Sequence, residues 1–377
     1  MNPVTLFLCG DVMTGRGIDQ ILPQPCDPAI HEPYMDSALG YVQLAEEANG
    51  PIPRPVAASY IWGDALEEFQ RVKPQARIIN LETAVTCSGE RMAKGINYRM
   101  NPANIACLTA AGIGCCALAN NHVLDWGVSG LTETLATLNA ARIKAAGAGT
   151  SEDEAWAPAV LPLADNRRLI VFSLGTATSG IPKSWAAKGT RGGVAFLPDL
   201  EQHTVQRIAL AVRTHKRPGD LVVVSVHWGG NWGYGIATDE VRFAHALIDG
   251  GADLFHGHSS HHPKGVEVFH DRLVVYGCGD FFNDYEGISG YEAFRGDLGL
   301  MYFPTLDADT GRLLRLELVA TQMKRMRVQR ASAADSRWLR ALLDREGRRF
   351  GTWTEAAEDH RIELQWRKGR DSPVPSP

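Results

Sequence analysis

Short apolar runs that end in a polar residue recur along this chain, and they constrain its fold more than any other feature. Runs typical of buried β-strands cover residues 4–9, 76–81, 114–119, 169–174, 221–226 and 252–255. Helical patterns lie between them, at residues 64–72, 103–111, 131–141, 205–212 and 243–248. Strands that are buried on both faces are apolar throughout, and their alternation with helices predicts an α/β fold.

The residues that follow these runs are able to bind a metal ion or to move a proton. Five of the runs lead to such a residue, namely Asp11, Glu82, His122, His227 and His258. Ligands of α/β proteins gather at the carboxyl ends of the strands. We therefore expect these side chains to form one site.

The segment from His256 to His262 contains four histidines in seven residues. This density favours metal binding or catalysis over a structural role. The predicted ligands combine carboxylate, amide and imidazole groups: Asp11, Glu82, Asn121, His227, His258 and either His261 or His262. Such a mixture suits one or two divalent transition metal ions, with manganese, iron and zinc equally suitable. Two ions about 3.5–4 Å apart would activate water and hold the attacked group.

Composition excludes several other classes of protein. The net charge is −5, whereas general nucleic-acid-binding proteins usually carry a basic excess. No apolar run approaches the length of about 18 residues that a membrane-spanning helix needs, and the N-terminal run is too short for a signal peptide. The seven cysteines match neither a zinc knuckle nor a disulfide framework, so we expect reduced thiols. These features predict a cytoplasmic protein with a small-molecule or peptide substrate.

The motifs, taken in order, resemble the CapA family. They are Gly10-Asp11-Val12-Met13-Thr14-Gly15-Arg16, Asn80-Leu81-Glu82-Thr83, Leu118-Ala119-Asn120-Asn121-His122-Val123-Leu124-Asp125, Val226-His227-Trp228-Gly229 and Gly257-His258. The CapA family comprises poly-γ-glutamate capsule-synthesis-like proteins that are related to the calcineurin-like metallophosphoesterases. The resemblance covers residues 4–285.

This resemblance implies a four-layer αββα sandwich of two mixed β-sheets, with a dinuclear metal site at one edge. The resemblance also implies that the metal ligands are Asp11, Glu82, Asn121, His227 and His258. By the same analogy, His122 lies beside the metals as general acid or base, and Arg16 faces an anionic group of the substrate. Asp11, His122 and one of His261 or His262 are the available bases if the reaction is a proton exchange.

Three positions depart from the metallophosphoesterase pattern. Met13 stands where those enzymes usually carry histidine, and Glu82 stands where they carry aspartate. The last motif, usually Gly-His-x-His, is interrupted here by Ser259 and Ser260. These departures predict that one metal position is weak, vacant or built differently.

Other residues are candidates for substrate binding. Trp228 and Trp232 lie in a glycine-rich loop, where they either form a binding wall or pack the loop down. Arg99 is either an anion contact or an ordinary surface arginine. Asp280 follows an apolar run, and we expect its carboxylate to hold a ligating histidine.

The domain organisation predicted from the sequence is simple. Residues 1–330 form one domain, with residues 23–55 as a possible insertion over the site. Two β-hairpin-like pairs follow the histidine cluster, at residues 266–269 with 273–276 and 298–303 with 313–319. Residues 331–366 form a C-terminal helical extension, and residues 367–377 are expected to be disordered.

Three functions are compatible with these residues. The first is a metal-dependent hydrolase, related to phosphoesterases, for a phosphoester or a peptide-like, carboxylate-bearing substrate. The second is a metal-dependent peptide epimerase that exchanges a proton at Cα. The third is a non-catalytic component of capsule-polymer biosynthesis, for which Met13 is the best argument.

Overall fold

The predicted alternation of strands and helices is present in the computed structural model of the protein, which describes residues 2–367. The helices in this part of the chain are α1 (Gly17–Ile21), α2 (Leu39–Asn49), α3 (Ala65–Val72), α4 (Ala106–Ala110), α5 (Gly127–Ala140), α6 (Glu152–Trp156), α7 (Gln202–His215), α8 (Thr238–Asp249) and α9 (Ala333–Gly347). The strands are β1 (Pro3–Val12), β2 (Ala29–Glu32), β3 (Met35–Ser37), β4 (Ala76–Leu81), β5 (Ala84–Val85), β6 (Arg99–Met100), β7 (Cys115–Ala117), β8 (Lys144–Ala146), β9 (Ala148–Gly149), β10 (Ala159–Pro162), β11 (Arg168–Thr176), β12 (Gly193–Val194), β13 (Phe196–Leu197), β14 (Leu221–His227), β15 (Leu254–His258), β16 (Val266–Phe269), β17 (Arg272–Val275), β18 (Asp280–Phe282), β19 (Leu298–Asp307), β20 (Leu313–Met323), β21 (Val328–Arg330), β22 (Thr352–Ala356) and β23 (Ile362–Trp366).

Two mixed sheets contain most of the strands. The larger sheet has the order β22-β23-β20-β19-β1-β4-β7-β8, with β18 beside β1 and β21 beside β20. Its strands β1, β4, β7 and β8 are parallel, whereas β19 is antiparallel to β1. The smaller sheet has the order β10-β11-β14-β15-β17-β16, with β13 beside β11. The α/β class predicted from the sequence is therefore confirmed.

Alternate residues of the central strands enter different hydrophobic cores, which explains why these strands are apolar throughout. Leu6 of β1 shares one core with Val223 of β14, so this core joins the two sheets. Phe7, the next residue of β1, enters a core with helices α1 to α5. Val224, the next residue of β14, enters a core with α7 and α8.

The segment of residues 23–55, predicted as an insertion, contains the β2–β3 hairpin and α2. Glu32 of β2 and Tyr41 of α2 both accept hydrogen bonds from Arg16, so this segment packs against the first motif. Residues 331–366 contain α9 and then β22 and β23, two strands that the prediction of a helical extension did not anticipate. Strand β23 pairs with β20 and so extends the larger sheet. Of the predicted tail, residues 368–377 lie outside the described residues.

No helix between residues 2 and 367 combines the length and the apolar character that a membrane span needs.

Candidate metal centre

The carboxyl ends of β1, β14 and β15 bring a first group of ligating side chains together. His227 and His258 are register partners in the parallel pair β14–β15, and Asp11 of β1 lies beside them. His227 Nδ1 lies 2.9 Å from His258 Nδ1, which in turn lies 3.6 Å from Asp11 Oδ1. Burial lowers the pKa of both histidines. The two rings are therefore neutral near pH 7, the form that binds a metal.

Asp11 also belongs to a second group, together with His261 and Asp280. One ligating atom from each of the three residues lies within 4.8 Å of the others. Asp280 Oδ1 accepts a hydrogen bond of 2.9 Å from His261 Nδ1, which is a contact of the kind expected for Asp280. Burial favours the neutral ring of His261, but the Asp280 carboxylate outweighs burial and raises the pKa of His261.

Asp11 therefore connects the two groups, and one of its oxygens has no partner. Its Oδ1 accepts a hydrogen bond of 2.8 Å from Asn80 Nδ2. Its Oδ2 is buried and has no hydrogen-bond partner among the described residues. Burial, reinforced by the Asp280 carboxylate, raises the pKa of Asp11 to about 7. A buried polar atom without a partner costs about 1–3 kcal/mol, so this oxygen favours a bound cation.

Glu82 is tied to Asp11 by buried amide groups. Asn80 Nδ2 donates to Glu82 Oε2 at 3.0 Å as well as to Asp11. Asn120 Nδ2 donates to Asn80 Oδ1 at 3.0 Å and so orients this amide. Burial and the neighbouring Asp11 raise the pKa of Glu82. Glu82 belongs to neither group of three, but its carboxylate lies next to the residue that they share.

These residues fit a divalent cation. Asp11, Glu82 and Asp280 are buried acids, and a positive ion would compensate their charge; burial and the neighbouring carboxylates raise the pKa of Asp11 and of Glu82. The imidazole and carboxylate donors suit a transition metal. Asn121, also a predicted ligand, presents its Oδ1 3.2 Å from His227 Nε2 and so lies at the first group.

His122 lies at the edge of this centre and is oriented by Asp125. Its Nδ1 lies 2.7 Å from Asp125 Oδ2, and its Nε2 lies 3.8 Å from Glu82 Oε1. Burial, together with the ammonium group of Lys94, lowers the pKa of His122 to about 4. The ring is therefore neutral, with its proton on Nδ1, and its Nε2 lone pair faces Glu82.

Some histidines of the cluster belong to a group of candidate ligands and others do not. His256 belongs to neither group: its Nε2 donates to the carbonyl of Cys9 at 2.8 Å, and its Nδ1 lies 3.1 Å from Ser225 Oγ, which links it to His258. His262 Nδ1 lies 3.1 Å from the carbonyl of Pro263, and its Nε2 accepts from the N–H of Gly233 at 3.0 Å. Both ring nitrogens of His262 are thus engaged by the backbone. Of the two alternatives that the sequence left open, only His261 joins a group of ligands.

Arg16 is buried and already holds anionic side chains of this chain. It forms ion pairs with Glu32 at 2.9 Å and with Asp284 at 2.5 Å. Its guanidinium also lies 3.9 Å from the ring centroid of Tyr41. Two carboxylates therefore compensate its single charge.

The remaining substrate-binding candidates occupy different environments. Trp228 is buried, donates from Nε1 to the carbonyl of Tyr276 and belongs to the core beneath α7 and α8. Trp232 instead lines a cavity of about 620 Å³ next to His261 and stacks on Tyr291, with ring centroids 4.2 Å apart. Arg99 lies over the ring of Trp126 and does not line this cavity.

Three residues make contacts in the centre that were not predicted from the sequence, namely Asn80, Asp125 and Lys94. Asn80 precedes Glu82 by two residues, a spacing that places both side chains on one face of an extended chain. Asp125 follows His122 by three residues within the same motif. Lys94 lies in a loop, and no pattern in the sequence signals that it reaches this motif.

Comparison with known proteins shows the family to which this chain belongs. The family described as bacterial capsule synthesis protein PGA_cap matches residues 5–285. A probable polyglutamine synthesis accessory protein of Mycobacterium tuberculosis is 47% identical over 367 residues, which cover 96% of this chain and 97% of the relative. The PGA biosynthesis protein CapA of Bacillus subtilis is 28% identical over 278 residues, 73% of this chain and 62% of the relative. The capsule biosynthesis protein CapA of Bacillus anthracis is 26% identical over 281 residues, 74% and 60% of the two chains. As its resemblance to CapA predicted, this chain belongs to the family of bacterial capsule synthesis proteins.

Proposed function

We propose that this protein is a metal-dependent hydrolase that acts on a phosphoester or on a peptide-like, carboxylate-bearing substrate. The observation that carries the proposal is the pair of three-residue groups that share Asp11. Two groups with one common carboxylate suit two divalent ions of manganese, iron or zinc. Such ions would supply Lewis-acid polarisation of the attacked group and would acidify a water molecule.

The proposed ligands divide between the two positions. His227 and His258, with Asn121 beside them, would hold one ion, whereas His261 and Asp280 would hold the other. Asp11 would contribute to both positions, and Glu82 would compensate charge next to it. We choose His261 over His262 because both ring nitrogens of His262 are engaged by the backbone.

His122 is the proposed proton carrier. Its neutral ring has a free lone pair on Nε2, while Nδ1 donates to Asp125. Nε2 therefore accepts a proton from the attacking water and then returns it to the leaving group. Groups that act in this way typically contribute about 10²- to 10⁴-fold to the rate. Asp125 keeps the ring in the required tautomer, as a carboxylate does for other catalytic histidines.

The cavity beside His261 is the proposed entrance for the substrate. Its volume of about 620 Å³ lies within the range typical of small-molecule sites. Trp232, held by its stacking on Tyr291, forms part of the wall. Arg16 also lines the cavity, but Glu32 and Asp284 compensate its charge, so its contact with an anionic group of the substrate stays a prediction. A peptide-like substrate is favoured by the names of the relatives, which refer to polyglutamine and to PGA synthesis.

Metal analysis together with turnover tests this proposal. We expect about two equivalents of a transition metal in purified protein, and loss of metal in Asp11→Ala and His258→Ala. His203→Ala is the matched control, because His203 is 71% exposed and pairs with Asp199 outside the centre. Hydrolysis of bis(p-nitrophenyl) phosphate or of a γ-glutamyl oligomer should stop on chelation and return with metal. Absence of metal under every loading condition would refute the proposal and favour a non-catalytic role in capsule-polymer synthesis.

A peptide epimerase is the second candidate, and one observation favours it. The centre contains two imidazole–carboxylate pairs, His122 with Asp125 and His261 with Asp280. Exchange of a Cα proton needs two bases, which such pairs are suited to provide. Deuterium from the solvent entering a peptide at Cα without bond cleavage would identify an epimerase, whereas cleavage without exchange would identify a hydrolase.

We also infer that the layers of residues 1–330 stack as a four-layer αββα sandwich, to whose larger sheet β22 and β23 add two edge strands. The separate cores on the two faces of β1 and of β14 support this arrangement. In it, the candidate metal centre lies at the carboxyl edge of the central strands of both sheets.

A further inference from the structure

The motif that carries Asn121 and His122 is covered by a loop from an earlier part of the chain, residues 92–98. The N–H of Met92 donates to the carbonyl of Asp125 at 2.8 Å, and the N–H of Tyr98 donates to Asp125 Oδ2 at 2.6 Å. Trp126 Nε1 donates back to the carbonyl of Tyr98 at 3.1 Å. These bonds attach both ends of the loop to Asp125 and Trp126.

Lys94 is the charged residue that this loop directs into the motif. Its Nζ donates to the carbonyl of Asn121 at 2.5 Å and to Asp125 Oδ1 at 2.7 Å. It also lies 3.4 Å from His122 Nδ1. One ammonium group therefore contacts a predicted ligand, the predicted proton carrier and the carboxylate that orients this carrier.

The ammonium group of Lys94 supplies the countercharge for the buried carboxylate of Asp125. Asp125 is fully buried, and a buried carboxylate without a countercharge is costly. Its Oδ2 accepts from His122 and Tyr98, so Oδ1 is left to Lys94. The Nδ1 side of the His122 ring is therefore held at Asp125, and its Nε2 is directed towards Glu82.

We infer that Lys94 is a positioning residue of this site, which fixes Asp125 and the Asn121 carbonyl and thereby holds the His122 ring with Nδ1 at Asp125 and Nε2 towards Glu82. The inference rests on the proposed function for the role of His122. The contacts of Lys94 on which the inference depends can be tested without catalytic turnover. Lys94 itself does not belong to either group of ligands.

The first test measures the histidine side-chain resonances and needs no catalytic turnover. Nitrogen-15 NMR of the histidine side chains in the metal-free protein should show His122 with Nδ1 protonated and Nε2 unprotonated. Lys94→Met should shift these resonances, whereas Lys94→Arg should largely restore them because it keeps the charge and the donors. Lys144→Met, at an exposed lysine of β8, is the matched control. Identical His122 resonances in the wild type and in Lys94→Met would overturn the inference.

The second test separates positioning from stability. In metal-loaded protein, Lys94→Met should reduce kcat by about 10- to 100-fold with KM nearly unchanged, as is typical of residues that orient a functional group. Lys94→Gln keeps a donor without the charge, and it should remain defective even where Lys94→Met folds poorly. A lower unfolding midpoint with unchanged kcat would instead show a structural role and contradict the inference. If the wild type itself turns over no substrate, the proposed hydrolase fails, while the NMR comparison still decides the role of Lys94.

Discussion

Asp11 and Asp280 lie opposite each other in the parallel pairing of β1 with β18, although they are far apart in the chain. This pairing places Asp11 between Asp280 and the two histidines at the ends of β14 and β15. A carboxylate in that position can serve two ions at once, which is the basis of the proposed dinuclear centre.

The two positions should therefore be separable by substitution. His227→Ala should remove about one equivalent of bound metal, and Asp280→Asn should remove about one equivalent from the other position. Asp11→Asn should reduce both, since Asp11 belongs to both groups of ligands. Elemental mass spectrometry of dialysed protein measures the change. Loss of both ions in Asp280→Asn together with normal content in Asp11→Asn would contradict the bridging role.

The raised pKa of Asp11 predicts a pH dependence in metal-free protein. The folded state holds a proton on Asp11 up to a pKa of about 7, whereas an aspartate in the unfolded chain releases it near the ordinary value of 3.8. Between these values the folded state binds more protons, so its stability falls as the pH rises. Asp11→Asn has no proton to release. Relative to this variant, the wild type should lose about 2–4 kcal/mol between pH 4.5 and pH 7.5.

Urea unfolding in the presence of a chelator, at several pH values, measures this difference. The variant provides the reference because the lowered pKa values of His122, His227 and His258 act in the opposite direction in both proteins. Their folded forms bind fewer protons, so their contribution to stability grows as the pH rises. Parallel curves for the two proteins would show that the Asp11 carboxylate is not perturbed.

Close backbone contact at the centre predicts a severe effect of substituting Gly10. A Cβ atom at this position would lie 1.6 Å from the carbonyl oxygen of Gly279, which also accepts a hydrogen bond from the N–H of Asp11. Gly10→Ala should therefore move β1 away from the Gly279 carbonyl and destabilise the fold by about 3 kcal/mol or more. Gly89→Ala is the control, because nothing lies within 4 Å of its Cβ position. Equal unfolding midpoints for the two variants would show that this contact relaxes without cost.

Much of the fold was predictable from the sequence because the buried strands are apolar on both faces. The predicted strand at residues 76–81 coincides with β4, and both predicted hairpin pairs are present as β16–β17 and β19–β20. Strand β18 was not predicted, because it has only three residues and its pairing with β1 depends on tertiary structure. Strands β22 and β23 were not predicted either, since their partly exposed residues lack a continuous apolar run.

The candidate site, like the fold, was only partly predictable from the sequence. Asp11, His227 and His258 follow apolar runs, so the topology of an α/β fold brings them together. The choice between His261 and His262 depended on contacts of the His262 ring with the carbonyl of Pro263 and with the N–H of Gly233, a residue of a distant loop, which no local pattern reveals. Lys94 reaches the centre from a loop, and its role depends on long-range contacts with Asn121 and Asp125.

The two tryptophans of the glycine-rich loop should respond differently to truncation. Trp228 is 3% exposed and packs against Phe255, with ring centroids 4.8 Å apart. Trp228→Ala should therefore lower the free energy of unfolding by about 3–5 kcal/mol, as is typical of large core aromatics. Trp232 lines the cavity, so Trp232→Ala should leave stability within about 1 kcal/mol of the wild type and should raise KM for the substrate. Urea unfolding and steady-state kinetics on both variants separate these effects. If Trp232→Ala destabilised the protein as much as Trp228→Ala and left KM unchanged, the loop would be packed down at both positions, and the cavity would lose its place as the substrate entrance.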